Sequence, residues 1–462
     1  YRHCMYKNIV VEKDAYEVDD NERYVGAHVF PPIPGQYKKV IPFDFASLYP
    51  TTIIAYNIDY HTWVPDDVDV PDEMCHIMEW EDHIGCEHDP KVIRVNTLTK
   101  YINMEEDKIK KIRSKRDSTS DKLRKKELQD QVTKMVNDLR PYKKERSEIN
   151  KTKPKNIMCD KRSYKFIKEP PGILPTIIQN LLNARKHTRK VDMIQKKDRI
   201  KELLKIQENT GEDMALQIKE CESILGVLDK RQLAYKVSAN SMYGAMGVRR
   251  GYLPFLPGAM CTTARGRQSI EKAAYEIQHN YGAKLVYGDT DSAYVHFPKL
   301  KTAAEIWDYC FAVEKEMYDN NVFPKPMKLE FEEVIYWRFF ILTKKRYMAL
   351  SCGRDGKVSD KIMKKGVLLA RRDNSKFIRD IYEKVIMMIF NKSTQEDVLY
   401  EIIVFFNRLC SYSLELKNFV ITKSVGETSD YKIRELPKDP KKRLKRLADM
   451  KIPPEWENMP PS

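Results

Sequence analysis

"KLVYGDTDSAYVHF", residues 284–297, sets two apolar runs on either side of a tight polar corner carrying Asp289 and Asp291. The alternation Leu285, Tyr287 and then Tyr294, His296 fits two flanking strands, and Gly288 is expected to permit the sharp turn between them. Taken alone, Asp-Thr-Asp in a hairpin is turn chemistry, because aspartate caps turns through its own backbone. The corner changes meaning beside "YKKVIPFDFASLYPTTIIAYNI", residues 37–58. There an apolar strand runs through Phe45, turns at Ala46 and Ser47, and becomes helical around Pro50, a residue suited to a first helical turn. Asp44 stands near the end of that strand. Two carboxylates forced together repel by roughly 4 kcal/mol at about 4 Å and an effective dielectric of about 20. A pair of divalent cations turns that repulsion into attraction. Magnesium takes hard oxygen ligands, commonly one or two carboxylates plus substrate phosphates. Two such ions serve both the attacking and the leaving oxygen of an in-line displacement. The helix start after Asp44 adds amides that can receive phosphate oxygens. Strand end and corner together make a floor for metal and triphosphate.

Two long basic helices are expected between these motifs. "LPTIIQNLLNARKHTRKVDMIQKKDRIKELLKI", residues 174–206, is entered at Pro175, and a second helix is centred on "DKRQLAYKVSANSMYG", residues 229–244. A turn around Gly211 joins them, which suggests an antiparallel pair projecting from a body. Gln232, Lys236 and Asn240 lie at four-residue steps with Tyr243 three further on, and Arg185 and Arg189 are four apart. Either cationic face alone reads as solvated surface. Lying between two carboxylate motifs, the pair can clamp a triphosphate.

The 462 residues allow roughly two to four domains, and a net charge of +15 fits a polyanionic partner, nucleic acid first, and equally a basic surface that only keeps the protein in solution. No apolar run reaches the roughly 18 residues that span a bilayer. Nine cysteines without a CxxC pair argue against a disulfide framework and for a reducing intracellular compartment, nucleus or cytoplasm. The chain starts at Tyr1 and is expected to be a fragment. Residues 59–89 are polar, with prolines, histidines and cysteines, and charge dominates 99–155. Within the latter, Leu128, Val132, Met135, Val136 and Leu139 recur at helical spacing, so a basic amphipathic helix is expected, solvated or facing a partner rather than DNA. Cys75, His76, His83, Cys86, His88 and Cys159 offer zinc ligands across the base of this insertion. Their spacing matches no standard finger, and satisfied polar side chains with buried thiols is the reading it favours. More strands are expected in "MKLEFEEVIYWRFFILTKKRYMAL", residues 327–350, and mostly helix in the last hundred residues.

"DFASLYPTTIIAYNI", "KVSANSMYG" and "YGDTDS" resemble, in the right order, the three signature motifs of family B (alpha-like) DNA polymerases. The resemblance extends through "YVGAHV", "LLNARKHTRK", "GRQSIE", "LEFEE", "TKKRY" and "KGVLLARRDN", from Tyr24 to Asn374. "DFASLYPTTIIAYNID" with "WEDHIGCEHDP" looks most like the polymerases of nucleocytoplasmic large DNA viruses. The resemblance implies an α+β right-hand fold with an antiparallel-sheet palm, helical fingers and a partial helical thumb. Its parts would be 1–58 (palm, first part), 59–173 (palm insertion with the basic helix), 174–247 (fingers), 248–355 (palm, second part) and 356–462 (thumb).

It also implies template-directed addition of deoxynucleotides to a primer 3′-hydroxyl, with two Mg2+ ions for which Mn2+ can substitute. Primer-template DNA, deoxynucleoside triphosphates and a processivity factor are the implied partners. Asp44 and Asp291 would bind metal with the backbone of Phe45, and Asp289 would be an auxiliary catalytic carboxylate. The amides of Ser47 and Leu48 would face the triphosphate, and Tyr49 would lie under the sugar and exclude a 2′-hydroxyl. Arg185, Lys236 and Asn240 would hold phosphates, with Arg189 where the family usually has lysine. Tyr243 and Gly244 would face the nascent base pair; Lys344, Lys345, Arg346 and Tyr347 would grip the primer-template; Glu332 would be an accessory carboxylate; Gly366, Arg371 and Arg372 would begin the thumb. The usual YxGG reads "YVGA", with Ala27 for a glycine, and with no acidic exonuclease motifs before Tyr1 a proofreading domain is expected to be absent from this fragment. Two rivals stand beside this reading: a non-catalytic primer-template-binding fragment and a different nucleotidyltransferase. Intact Asp44, Asp291 and Lys236 argue against the first, and Tyr49 favours deoxynucleotides.

Overall fold

Alternating apolar residues make strand β1 (Gly35–Phe45) the spine of the molecule. In the computed structural model, which describes Met5 and residues 24–151, 157–248, 254–367, 374–391, 393–411 and 414–421, the chain divides into two compact units between Met363 and Lys364. In the first, β1 joins β5 (Lys284–Asp289), β6 (Ser292–His296), β7 (Leu329–Phe331), β8 (Ile335–Thr343), β9 (Arg346–Cys352) and β10 (Val358–Lys365). The sheet order is β10-β9-β8-β1-β6-β5, with β7 also paired to β1. β1 runs antiparallel to β6, β7 and β8. The sheet thus continues through β10.

The pleat sorts the side chains, because successive residues of a strand face opposite ways. Ile41, Phe43 and Phe45 of β1 pack with Ala293 and Val295 on helices α7 (Leu256–His279) and α8 (Ala303–Asp319). Val40 faces the other way, into an aromatic layer of Tyr287, Tyr294, Tyr336, Phe339 and Tyr347. Asp44, even-numbered like Val40, is turned away from the α7–α8 core by the same alternation.

The hairpin of β5 and β6 forms as the sequence predicts, with two corrections. Gly288 is not the turn residue. It pairs with Ala293 inside the ladder, and a Cβ there would meet Phe30 at 2.5 Å. The left-handed corner belongs to Thr290, at φ +57°. Register also shifts between Leu285 and Tyr287, so these two do not share a face: Leu285 packs on the helical side and Tyr287 in the aromatic layer.

Residues 59–89 hold regular structure that composition alone concealed. β2 (Trp63–Val64), β3 (Cys75–Ile84) and β4 (Met158–Ile167) form a second sheet in the order β2-β4-β3. Between β3 and β4 stand two helices where one basic helix was expected, α2 (Pro90–Ser118) and α3 (Lys122–Lys151). Val132 and Leu139 of the apolar stripe pack with Leu98, Ile102 and Ile109 of α2, and Leu128 is buried too, so the stripe is not left to solvent.

The long helix expected from Pro175 is interrupted. α4 (Ile173–His187) passes through a single π turn at Thr188–Asp192 into α5 (Met193–Thr210), and Gly211 ends it at φ +73°. A left-handed residue just past a helix end is the usual C-terminal stop. α6 (Ala215–Met246) then returns against α4 and α5. A shared core ties these helices to α1 (Leu48–Ala55), α7 and the small sheet through Ile53, Ile178, Ala239, Met246, Phe255, Phe166 and Met78. A buried polar knot fixes where α4 begins: Gly172 N donates to Asn57 Oδ1 at 2.7 Å and Leu174 N to Asp59 Oδ2 at 2.9 Å. Among the described residues of the second unit stand α9 (Lys376–Phe390), capped by Ser375, and α10 (Gln395–Cys410), opened by a Thr394–Asp397 capping box.

Candidate active site

Asp44 and Asp291 converge although they stand 247 positions apart in the sequence. Asp44 lies opposite Ser292 in the β1–β6 ladder, Ser292 Oγ donates to Asp44 Oδ1 at 2.6 Å, and Phe45 N donates to Asp291 O at 2.9 Å. On its other side Asp44 lies opposite Glu330 of β7. Burial, then the Asp291 charge, pushes the Asp44 carboxyl up to about 7; the Glu332 charge adds to this, while the Ser292 hydrogen bond and Lys236 oppose it. Asp291 is also raised, first by burial and then by Asp289, against its own backbone hydrogen bond and the charges of Lys236 and Lys345. The Lys236 cation on α6 therefore acts on both acids at once.

Asp289 is placed differently. Lys345 Nζ donates to it at 2.7 Å, Tyr287 Oη at 3.3 Å and Thr290 Oγ1 at 3.1 Å. Lys345 sits in the β8–β9 turn at φ +63°, and its amide donates to Tyr287 Oη at 2.9 Å. The segment carrying "YVGAHV" braces the corner from outside: Thr290 N donates to His28 O, Phe30 N to Gly288 O, and Lys344 Nζ to Val29 O.

Beyond Asp44 the chain turns through Ser47, left-handed at φ +58°, into α1. No side-chain cap hydrogen bond is made by Ser47, which leaves the first-turn amides of α1 the usual unsatisfied donors of a helix start. Tyr49 packs on Tyr243 of α6 with ring centroids 4.6 Å apart and planes tilted by 40°, and Tyr243 Oη meets Tyr24 Oη at 3.5 Å. Burial and then the Asp291 charge push the Tyr49 hydroxyl up to about 12, so it stays neutral. Gly266 of α7 makes room for this ring, since a Cβ there would lie 2.8 Å from Tyr49 Cε1.

Arg185 Nε donates to Gln232 Oε1 at 3.3 Å, linking α4 to α6. Burial and the nearby Arg189 hold the Arg185 guanidinium below its ordinary value, and Glu330 opposes them. Arg185 thus feels both Arg189 and Glu330 of the sheet. Asn240 and Gly244 are exposed on α6. Arg346 is exposed at the start of β9, while Tyr347 is buried in the aromatic layer and shares a 2.8 Å hydrogen bond with Tyr294. Gly366 lies in the second unit at φ +61°, and Arg371 and Arg372 lie outside the described residues.

Sequence reasoning gave no role to Ser292, Tyr24, Gly266 or Arg267. Arg267 joins three segments, donating to Val25 O at 2.6 Å, Gly26 O at 3.1 Å and Asp82 Oδ1 at 3.1 Å. Its charge opposes the upward shifts of both Tyr49 and Tyr243. The motif "GRQSIE" marked its position without saying what it holds. Of the six candidate zinc ligands, the structure brings His83, Cys86, His88 and Cys159 together, every donor atom within 4.8 Å of the others. Cys75 is buried in the ladder opposite Ile167, and His76 packs on Tyr56.

Among described residues no helix is long and apolar enough to cross a membrane. The profile of DNA polymerase family B matches residues 2–134 and 200–440. DNA polymerase 120R of Invertebrate iridescent virus 3 is 45% identical over 447 residues, which is 93% of this chain and 35% of that protein. DNA polymerase 037L of Invertebrate iridescent virus 6 is 41% identical over 495 aligned residues, 92% of this chain and 38% of that protein. The chain thus spans little more than a third of the length of these relatives. The solved family B DNA polymerase of the hyperthermophilic archaeon Pyrobaculum calidifontis matches at 20% identity and a TM-score of 0.48, over 94% of this chain and 40% of that one, a likeness too loose to support anything further.

Proposed function

The chain belongs to DNA polymerase family B, and on that premise we propose that it carries the catalytic core of a viral replicative polymerase, adding deoxynucleotides to a primer 3′-hydroxyl under the direction of a template. The observation that supports this most is the convergence of Asp44 and Asp291, each raised by burial and by a neighbouring acid, at the start of α1. On this reading the large sheet is the palm, the α4–α6 helices are the fingers, and the second unit begins the thumb.

The donor set suits magnesium or manganese. Two hard carboxylates and the Phe45 carbonyl are offered, and the acids repel one another unless a cation intervenes. When bound, two such ions would ease ionisation of the primer hydroxyl and offset the charge of the triphosphate. The chain's own residues then do the positioning that dominates phosphoryl transfer. The amides of Ser47 and Leu48, with Arg185, Arg189, Lys236 and Asn240, hold the phosphates in line. Tyr49, fixed against Tyr243, lies beneath the sugar and leaves no space for a 2′-hydroxyl. Tyr243 and Gly244 meet the new base pair. Asp289, tied to Lys345, orients the β8–β9 turn, from which Lys344 and Arg346 contact the primer-template backbone.

The test is Asp291→Asn in a primer-extension assay. Incorporation is expected to vanish while duplex binding persists, and near-normal extension would overturn the assignment. The alternative of a non-catalytic primer-template module draws on the chain's share of its relatives, and absence of extension by the unsubstituted chain, with duplex binding intact, selects it.

A further inference from the structure

We propose that His83, Cys86, His88 and Cys159 form a tetrahedral zinc site that pins the two feet of the α2–α3 hairpin to one point. Three edges of the group are His83 Nδ1 to Cys86 Sγ at 3.6 Å, His83 Nδ1 to Cys159 Sγ at 3.5 Å, and His88 Nδ1 to Cys159 Sγ at 3.5 Å. A tetrahedron with Zn–S of about 2.3 Å and Zn–N of about 2.0–2.1 Å requires S···N edges of about 3.5–3.6 Å. Thiol–imidazole hydrogen bonds link these atoms only in pairs, with directions set by the histidine tautomers, whereas a single cation draws on a lone pair of all four at once.

The backbone is arranged to deliver these donors. His83 and Cys159 are direct cross-strand partners in the β3–β4 ladder. Gly85, at φ +69°, turns the chain out of β3 so that Cys86 and His88 come back over it. Asp89 locks that loop, accepting from Gly85 N at 2.6 Å and from Lys91 N at 2.8 Å in the first turn of α2. His83 turns Nδ1 inward while its Nε2 lies 3.3 Å from Glu81 Oε2, the carboxylate partner that commonly fixes a metal-binding imidazole. Three ligands precede the hairpin and the fourth follows it, so one ion closes the loop of chain that contains both helices. The proposal is independent of the polymerase reading, and either can fail alone.

The test is metal analysis of the full chain, purified under reducing conditions with zinc supplied during expression. About one zinc per chain is expected, as for a closed four-ligand structural site. His88→Ala and Cys159→Ser alter exposed positions that the fold tolerates, and both should lose the metal, while Cys410→Ser in the other unit keeps it. Cobalt in place of zinc should give the strong visible absorption of a tetrahedral site and a thiolate charge-transfer band. Glu81→Gln should weaken zinc affinity by about 10–100-fold. Only trace zinc in the unsubstituted chain, equal zinc in His88→Ala and Cys159→Ser, or a Cys86–Cys159 disulfide in protein isolated with its thiols trapped would each overturn the proposal.

Discussion

Asp44 is an acid held where its charge is poorly solvated, and this gives a pH dependence whose sign can be worked out. Its carboxyl is raised from 3.8 to about 7 in the fold, so between these values the metal-free folded chain binds a proton that the unfolded chain does not. Its contribution to stability is complete below about pH 4 and is lost as pH rises through about 7. Asp44→Asn should therefore melt above the unsubstituted chain at pH 8 in chelator, with the difference shrinking toward pH 5; a difference independent of pH would refute this account. If Asp44 is a magnesium ligand, the ion takes its ionised form, so magnesium's effect on the melting temperature should grow over the same window. A second residue-scale prediction concerns Gly266. Its substitution by alanine pushes a Cβ toward Tyr49, which should cost about 1–3 kcal/mol as overpacking does. If the Tyr49 ring gates the sugar, Gly266→Ala and Tyr49→Ala should both change the ratio of deoxynucleotide to ribonucleotide incorporation. Asp44, Asp291 and Tyr49 were legible in the sequence because motif order singles them out. Gly266 and Arg267 were not, because what they do is touch residues more than 180 positions away.

At the scale of elements, each departure from the sequence reading has a local cause. Residues 59–89 read only as a polar stretch because prolines and charged residues surround β3 and its apolar residues do not alternate strictly, yet β4 supplies it a full ladder. The apolar stripe of α3 read as a surface because its partner, α2, precedes it with a weakly patterned, strongly charged sequence. Val132→Ala should thus behave as a core truncation, costing about 0.5–2 kcal/mol by the transfer and cavity terms of losing two methyl groups. Hydrogen exchange that speeds up across both helices together would bear that out, and an unchanged rate in α2 would not. The seat of α4 is set by side chains, not by its own sequence. Asp59→Ala removes the acceptor for Leu174 N and Tyr60 N, and should lower stability by about 1–3 kcal/mol in denaturant melts. A null effect would mean that the buried amides find other acceptors.

For the whole molecule, an excess of positive charge and a site built from three separate stretches of chain are the governing facts. With a net charge of +15, duplex binding should weaken linearly in log affinity against log salt, with a slope of about −0.9 per phosphate neutralised. Lys344→Ala and Arg346→Ala should each flatten that slope by about one contact, whereas Tyr347→Phe, buried beneath the sheet, should leave it alone. By itself the sequence determined the strand that ends at Asp44, the hairpin around Asp291, the two basic helices between them and the basic surface. These are properties of period, turn chemistry and composition, which act over a few residues or over the sum of all of them. The tertiary structure alone decided that the two acids meet, that Tyr347 turns inward, that Gly288 serves packing and not the turn, and that four scattered ligands close around one point. Each of these depends on strand register and helix docking between segments distant along the chain, where a shift of a single residue would turn every side chain to the opposite face.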